Sequence, residues 1–160
     1  MKPSRKMTAV LLAFSLLFIQ TTDAASQQID IDADQETDSG LTVDTAWIAE
    51  APPASRVMVA YMTINNPGAE AIDIIDARSD TYSSIEFHET LHEDGMAKMV
   101  RHDSLRIPAH GSIQLKRGGK HLMLFNPTTP LKAGDTVSIT LITANNTSKI
   151  ITVDVKKAQF

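Results

Sequence analysis

The 160-residue chain contains no cysteine. That absence removes disulfide staples, thiolate metal sites and anchoring through a lipid-modified cysteine. Aromatic residues are scarce, at 5% with a single tryptophan, and no stretch concentrates lysine and arginine. A net charge of −4 without a basic cluster argues against nucleic acid or an anionic membrane as partner. The apolar run at residues 7–19 is thirteen residues long. A membrane-spanning helix needs about 20. No nucleophile elbow occurs, and the HExxH string His88-Glu89-Thr90-Leu91-His92 lies in an alternating, strand-like segment rather than on the helix a metalloprotease needs, so nothing marks a hydrolase or another enzyme.

What is present begins with an address. Lys2, Arg5 and Lys6 precede the apolar run, and Gln20-Thr21-Thr22-Asp23-Ala24-Ala25 supplies small residues for cleavage. Residues 1–24 therefore read as a secretory signal peptide, which predicts soluble export to the periplasm with no membrane anchor. Its removal takes away Lys2, Arg5, Lys6 and Asp23, leaving 136 residues of net charge −6. Residues 25–40 read as a solvated acidic leader carrying Asp30, Asp32, Asp34, Glu36 and Asp38. The spacing lacks the glycine and terminal glutamate of a calcium loop.

Residues 41–157 read as one all-β domain. Alternating Val-, Ile- and Thr-rich segments at 41–48, 56–64, 71–77, 85–91, 96–101, 112–115, 121–125, 136–143 and 149–155 predict about nine short strands. Turn chemistry separates them, notably Asn65-Asn66-Pro67-Gly68, Asp94-Gly95 and Gly118-Gly119. No sustained 3.6-residue periodicity interrupts the pattern. The expected architecture is a β-sandwich or Greek-key barrel.

Four residues stand out as candidate metal ligands: His88, Met99, His121 and Met123, spaced His-x10-Met-x21-His-x-Met. Thioether sulfur selects Cu(I), and neutral imidazole suits copper. Without a thiol to oxidise, such a set serves an oxidising compartment. Asp94-Gly95 is a two-residue hairpin signal. It pairs Glu93 with Met96, sets His88 opposite Arg101 and Met99 opposite Thr90, and leaves His88 and Met99 diagonal on one face. His121 and Met123, two apart on a strand, share a face as well. Taken singly, each methionine reads as a core filler and each histidine as a surface residue; the joint spacing carries the metal reading. His92, His102 and His110 read as surface positions, Met58 and Met62 as core, and Trp47 as core or the edge of a pocket.

The same spacing resembles the periplasmic copper chaperones of the PCu(A)C family. Supporting segments are Thr45-Ala46-Trp47-Ile48, Ala60-Tyr61-Met62-Thr63-Ile64-Asn65-Asn66, Glu86-Phe87-His88-Glu89-Thr90, Gly118-Gly119-Lys120-His121-Leu122-Met123-Leu124 and Pro130-Leu131-Lys132-Ala133-Gly134-Asp135. The resemblance implies a cupredoxin-like β-sandwich holding one Cu(I) per chain through His88, Met99, His121 and Met123. It further implies a carrier that passes copper to an acceptor protein, a cytochrome c oxidase subunit or another assembly factor; a monomer is expected. Many members place a methionine directly after the first histidine, where this chain has Glu89. Some end in a His/Met-rich tail, where this chain has Lys156-Lys157-Ala158-Gln159-Phe160. Competing readings are copper scavenging and a metal-free protein-binding sandwich. A blue-copper electron carrier is excluded, because its site needs a cysteine thiolate.

Overall fold

The structure is a computed structural model that describes residues 39–158. The expected signal peptide and residues 25–38 of the leader lie outside the described residues. Those described form ten strands and no helix: β1 Thr42–Ala49, β2 Val57–Asn66, β3 Ile72–Arg78, β4 Tyr82–Glu93, β5 Met96–His102, β6 Leu105–Ile107, β7 Gly111–Leu115, β8 Lys120–Pro127, β9 Thr136–Thr143 and β10 Ser148–Lys156. One of them, β6, escapes the sequence pattern because Leu-Arg-Ile offers a single alternation before Pro108.

The strands run in the order β5-β4-β8-β2-β1-β10-β9-β3-β6, with β7 also paired to β2. β1 and β10 are parallel; the other pairings are antiparallel. The sheet is open, but it coils until β3 contacts β4 and β6 contacts β7 and β2. This is a cupredoxin-like sandwich around one core.

Strict alternation explains the burial. Along β2, Met58, Ala60, Met62 and Ile64 are buried while Val57, Val59, Tyr61 and Thr63 are half-buried. Phe87, Leu122, Leu124, Ile139 and Val153 join the same core. Fully burying one such side chain stabilises the fold by about 1.5–3 kcal/mol.

Three local features position the rest. At Asp94 (φ 52°) and Gly95 (φ 77°) both turn residues are left-handed, as a type I′ hairpin requires, so Glu93 pairs with Met96. On the far side of β2, Met62 pairs with Leu115 and Ala60 with Leu122, so residues 116–121 all stand opposite Tyr61. Gly118 (φ 70°) lets this excursion turn back. Buried Asn66 fastens the end of β2 to the end of β6. Its amide donates to the carbonyls of Glu70 (2.7 Å), Ile107 (3.4 Å) and Pro108 (3.2 Å), and its Oδ1 accepts from the Gly68 N–H (3.0 Å).

Asn66→Ala would leave these buried backbone groups unpaired and should cost about 2–3 kcal/mol. Urea unfolding should show it as a lowered midpoint with an unchanged slope.

Candidate metal centre

Strand β4 lies between β5 and β8 and sets the geometry. On one side His88 pairs with Arg101 and Thr90 with Met99. On the other, His88 pairs directly with His121, and Glu86 with Met123. Phe87, Leu122 and Leu124 point into the core, so His88, Met99, His121 and Met123 all stand on the opposite, outer face of the sheet. All four sequence candidates are therefore brought onto one three-strand patch. The hairpin register is the one read from Asp94-Gly95.

The two imidazoles lie 6.2 Å apart between ring centroids, inclined by 29°. His121 is 5% exposed, Met123 is half-buried, and Met99, on the edge strand, is 53% exposed. Each ring has one nitrogen held by a neighbour. The His121 Nδ1–H donates to the Gly119 carbonyl at 2.9 Å, within the residue 116–121 excursion, which leaves Nε2 with its lone pair. The His88 Nε2–H donates to Glu86 Oε2 at 2.8 Å, and Glu86 Oε1 meets Arg101 at 3.2 Å. The remaining nitrogen, His88 Nδ1, is buried and has no hydrogen-bond partner. A buried polar atom without a partner costs about 1–3 kcal/mol, and a coordinated cation would satisfy it.

The arrangement thus offers one further nitrogen on each imidazole and, on the same patch, two thioether sulfurs. No cluster of three or more His, Asp or Glu suited to a metal occurs among the described residues. A hard divalent cation finds little here; a soft monovalent one finds neutral, polarisable donors.

Sequence reasoning missed Glu86 as the group that selects the His88 tautomer. Its position two residues before His88, hence on the same face, was the available signal. A second cluster on the reverse face was also missed. There Glu89 Oε2 accepts from His102 Nε2 at 2.9 Å and from Lys120 Nζ. The Lys120 hydrogen bond holds the Glu89 carboxyl below its ordinary range, outweighing the upward push of burial, with His102 adding to the effect. His102, read as a surface position, is half-buried and hydrogen-bonded to Glu89. His92 and His110 are exposed; Trp47 stacks against Tyr61 at a cleft edge instead of in the core.

The cupredoxin-like sandwich is the fold seen in PCuAC domains. The chain belongs to the LpqE-like family, described as "Putative lipoprotein LpqE-like", over residues 41–155. It is 33% identical over 118 residues to "Putative lipoprotein Lxx21020" of Leifsonia xyli subsp. xyli, covering 73% of this chain and 70% of that protein. It is 34% identical to CuI-DR1885 from Deinococcus radiodurans, covering 83% of this chain and 86% of that one, with a TM-score of 0.60. It shares its fold with a copper-bound PCuAC domain from PmoF2, at 18% identity and a TM-score of 0.62, covering 74% of this chain and 94% of that one.

Two outcomes test this geometry. Long-range ¹H–¹⁵N spectra of the metal-free protein should show His88 protonated on Nε2 and His121 on Nδ1. Glu89, whose folded pKa is lowered, contributes stability that is present above the unfolded value near 4.5 and lost as the pH falls through its lower folded value. Glu89→Gln should therefore be less stable than wild type at neutral pH, with the difference in urea midpoint shrinking below about pH 4.5.

Proposed function

We propose that this chain is a periplasmic Cu(I) carrier that binds one ion through His88, Met99, His121 and Met123 and passes it to an acceptor protein by ligand exchange. The carrying observation is the directly paired His88 and His121, each with one nitrogen tied and the other open, the open Nδ1 of His88 being buried without a partner. The 34% identity to CuI-DR1885 supports copper as the cargo. The signal-peptide pattern of residues 1–24 and the lipoprotein relative support export. The domain that does this work is residues 41–157, acting as a monomer and a carrier, not an enzyme.

Burial ranks the ligands by how readily each can be replaced. His121 is sealed and His88 is only 14% exposed at its side chain, so the imidazoles form the fixed half of the site. Met99 is more than half exposed, on a strand whose outer edge has no neighbour in the sheet among the described residues. An incoming imidazole or thiolate of the acceptor reaches the ion from that side and displaces Met99 first, then Met123. Such transfer suits assembly of a cytochrome c oxidase copper centre; simple scavenging would need no exchangeable, exposed ligand.

Cu(I) titration under anaerobic conditions, read by native mass spectrometry and chelator competition, should give one ion per chain. His88→Ala or His121→Ala should abolish defined binding. Met99→Leu should weaken it while retaining the one-to-one complex. Glu86→Gln, which loosens the His88 tautomer, should cost about 10–100-fold in affinity. Acidification should weaken binding, because both imidazoles must be neutral to coordinate. Unchanged affinity in both histidine variants would overturn the site; intact binding without transfer to an oxidase copper domain would leave scavenging as the role.

A further inference from the structure

A cleft of about 490 Å³ opens on the outer face beside the histidine pair, lined by Trp47, Tyr61, Lys116, Arg117, Lys156 and Lys157 among others. It exists because both ladders of β2 are interrupted around Tyr61 and Met62. On one side β1 bulges: Asp44 pairs with Thr63 and Trp47 with Tyr61, so Thr45 and Ala46 together face Met62. On the other side stands the residue 116–121 excursion. Thr45, which also lines the cleft, takes φ at 52°, a left-handed conformation that strains a β-branched residue. Bulges and strain of this kind gather where a site is built.

Trp47 and Tyr61 form the floor, 4.9 Å apart between ring centroids and tilted by 42°. Arg117 is already engaged: it donates to the Tyr61 hydroxyl, and its guanidinium carbon lies 5.7 Å from the Trp47 ring. It therefore fixes the floor. The charge that an incoming group meets is carried by Lys116, Lys156 and Lys157, all exposed. Lys156 stands 4.0 Å from Asp154, a long contact between two exposed side chains. No carboxylate of the described residues lines the cleft. Ammonium groups around an aromatic floor suit a molecule that offers carboxylates together with an apolar or planar side chain.

The cleft shares its face with the candidate metal ligands. Trp47 pairs with Tyr61, and half-buried Val59 pairs with Met123, so β2 joins the two regions. From β4 to β1 is three strand spacings, about 14 Å at about 4.8 Å each. A standard interface covers about 800 Å² per partner, a patch roughly 30 Å across. A protein that reaches the metal patch from this side therefore also lies over the cleft. A bilayer surface is too broad to enter it; a chain segment enters readily.

We propose that the cleft docks an acidic segment of the copper acceptor, with carboxylates on Lys116, Lys156 and Lys157 and an apolar side chain on Trp47 and Tyr61. That choice of occupant rests on the carrier reading; the shape and charge of the cleft do not. The docked segment lies against the same excursion whose Gly119 carbonyl holds His121.

The metal-free chain can be titrated with a peptide of Glu and Asp around one Phe, and with its Gln/Asn counterpart. Trp47 is the sole tryptophan, so its fluorescence reports the cleft. The acidic peptide should shift the emission saturably, and the uncharged one should not. Lys116→Gln, Lys156→Gln and Lys157→Gln together should weaken binding about tenfold, at an unchanged urea midpoint. Lys98→Gln with Lys132→Gln should leave binding as it is. Near 1 M salt, where the screening length drops to about 3 Å, the shift should vanish. Cu(I) transfer from the loaded chain to an oxidase copper domain should slow severalfold in the triple variant while Cu(I) affinity stays the same. No peptide binding, equal binding by the triple variant, or binding of anionic-lipid vesicles in place of the peptide would overturn the docking site. An unchanged transfer rate would overturn the acceptor as its occupant. A chain that binds no Cu(I) would instead strike the carrier reading, and with it the acceptor, whereas peptide binding to the metal-free chain would still assign the cleft to an acidic protein.

Discussion

Register along β4 governs everything that the outer face can do. A strand has a side-chain period of two, so a slip by one residue would send Phe87 to water and His88 into the core. Exposing Phe87 alone would forfeit about 1.5–3 kcal/mol, before the mismatch along Leu122 and Leu124. The hydrophobic burial that closes the sandwich is therefore also what aims the imidazoles. The type I′ turn at Asp94-Gly95 enforces the same register from one end of the hairpin, and the ion cluster of Glu89, Lys120 and His102 enforces it from the reverse face.

The two histidines are supported in different ways. His121 leans on a backbone carbonyl, which no side-chain substitution can remove, and it is sealed from solvent. His88 leans on a carboxylate that is itself tethered to Arg101, whose side chain is 62% exposed. One ring is thus held by the fold and the other by a network open to the surface. In the proposed carrier, the first anchors the ion while the second can be tuned.

Half of the face was legible in the chain itself. Asp94-Gly95 is a local signal, and from it the parity of His88 and Met99 follows; the spacing of His121 and Met123 gives theirs. What a sequence does not state is which strand lies next to which. The approach of His121 to His88 depends on β6 crossing to pair with β3 and on β7 returning to β2, a route written in long-range packing rather than in any local motif. Strand β6 itself was too short to betray a period. The basic cleft was hidden for a related reason, since Trp47 and Tyr61, Lys116 and Arg117, and Lys156 and Lys157 come from three separate regions of the chain.

The last strand of the domain is not placed at an edge of the sheet. β10 lies inside the sheet, between β1 and β9, and its parallel ladder with β1 joins the two ends of the domain. Until those final residues emerge, β5-β4-β8-β2-β1 and β9-β3-β6 have no ladder between them, and the core stays unsealed. Closure of the core therefore depends on a non-local pairing between the two ends of the domain. A domain without β10 cannot lock into this sandwich.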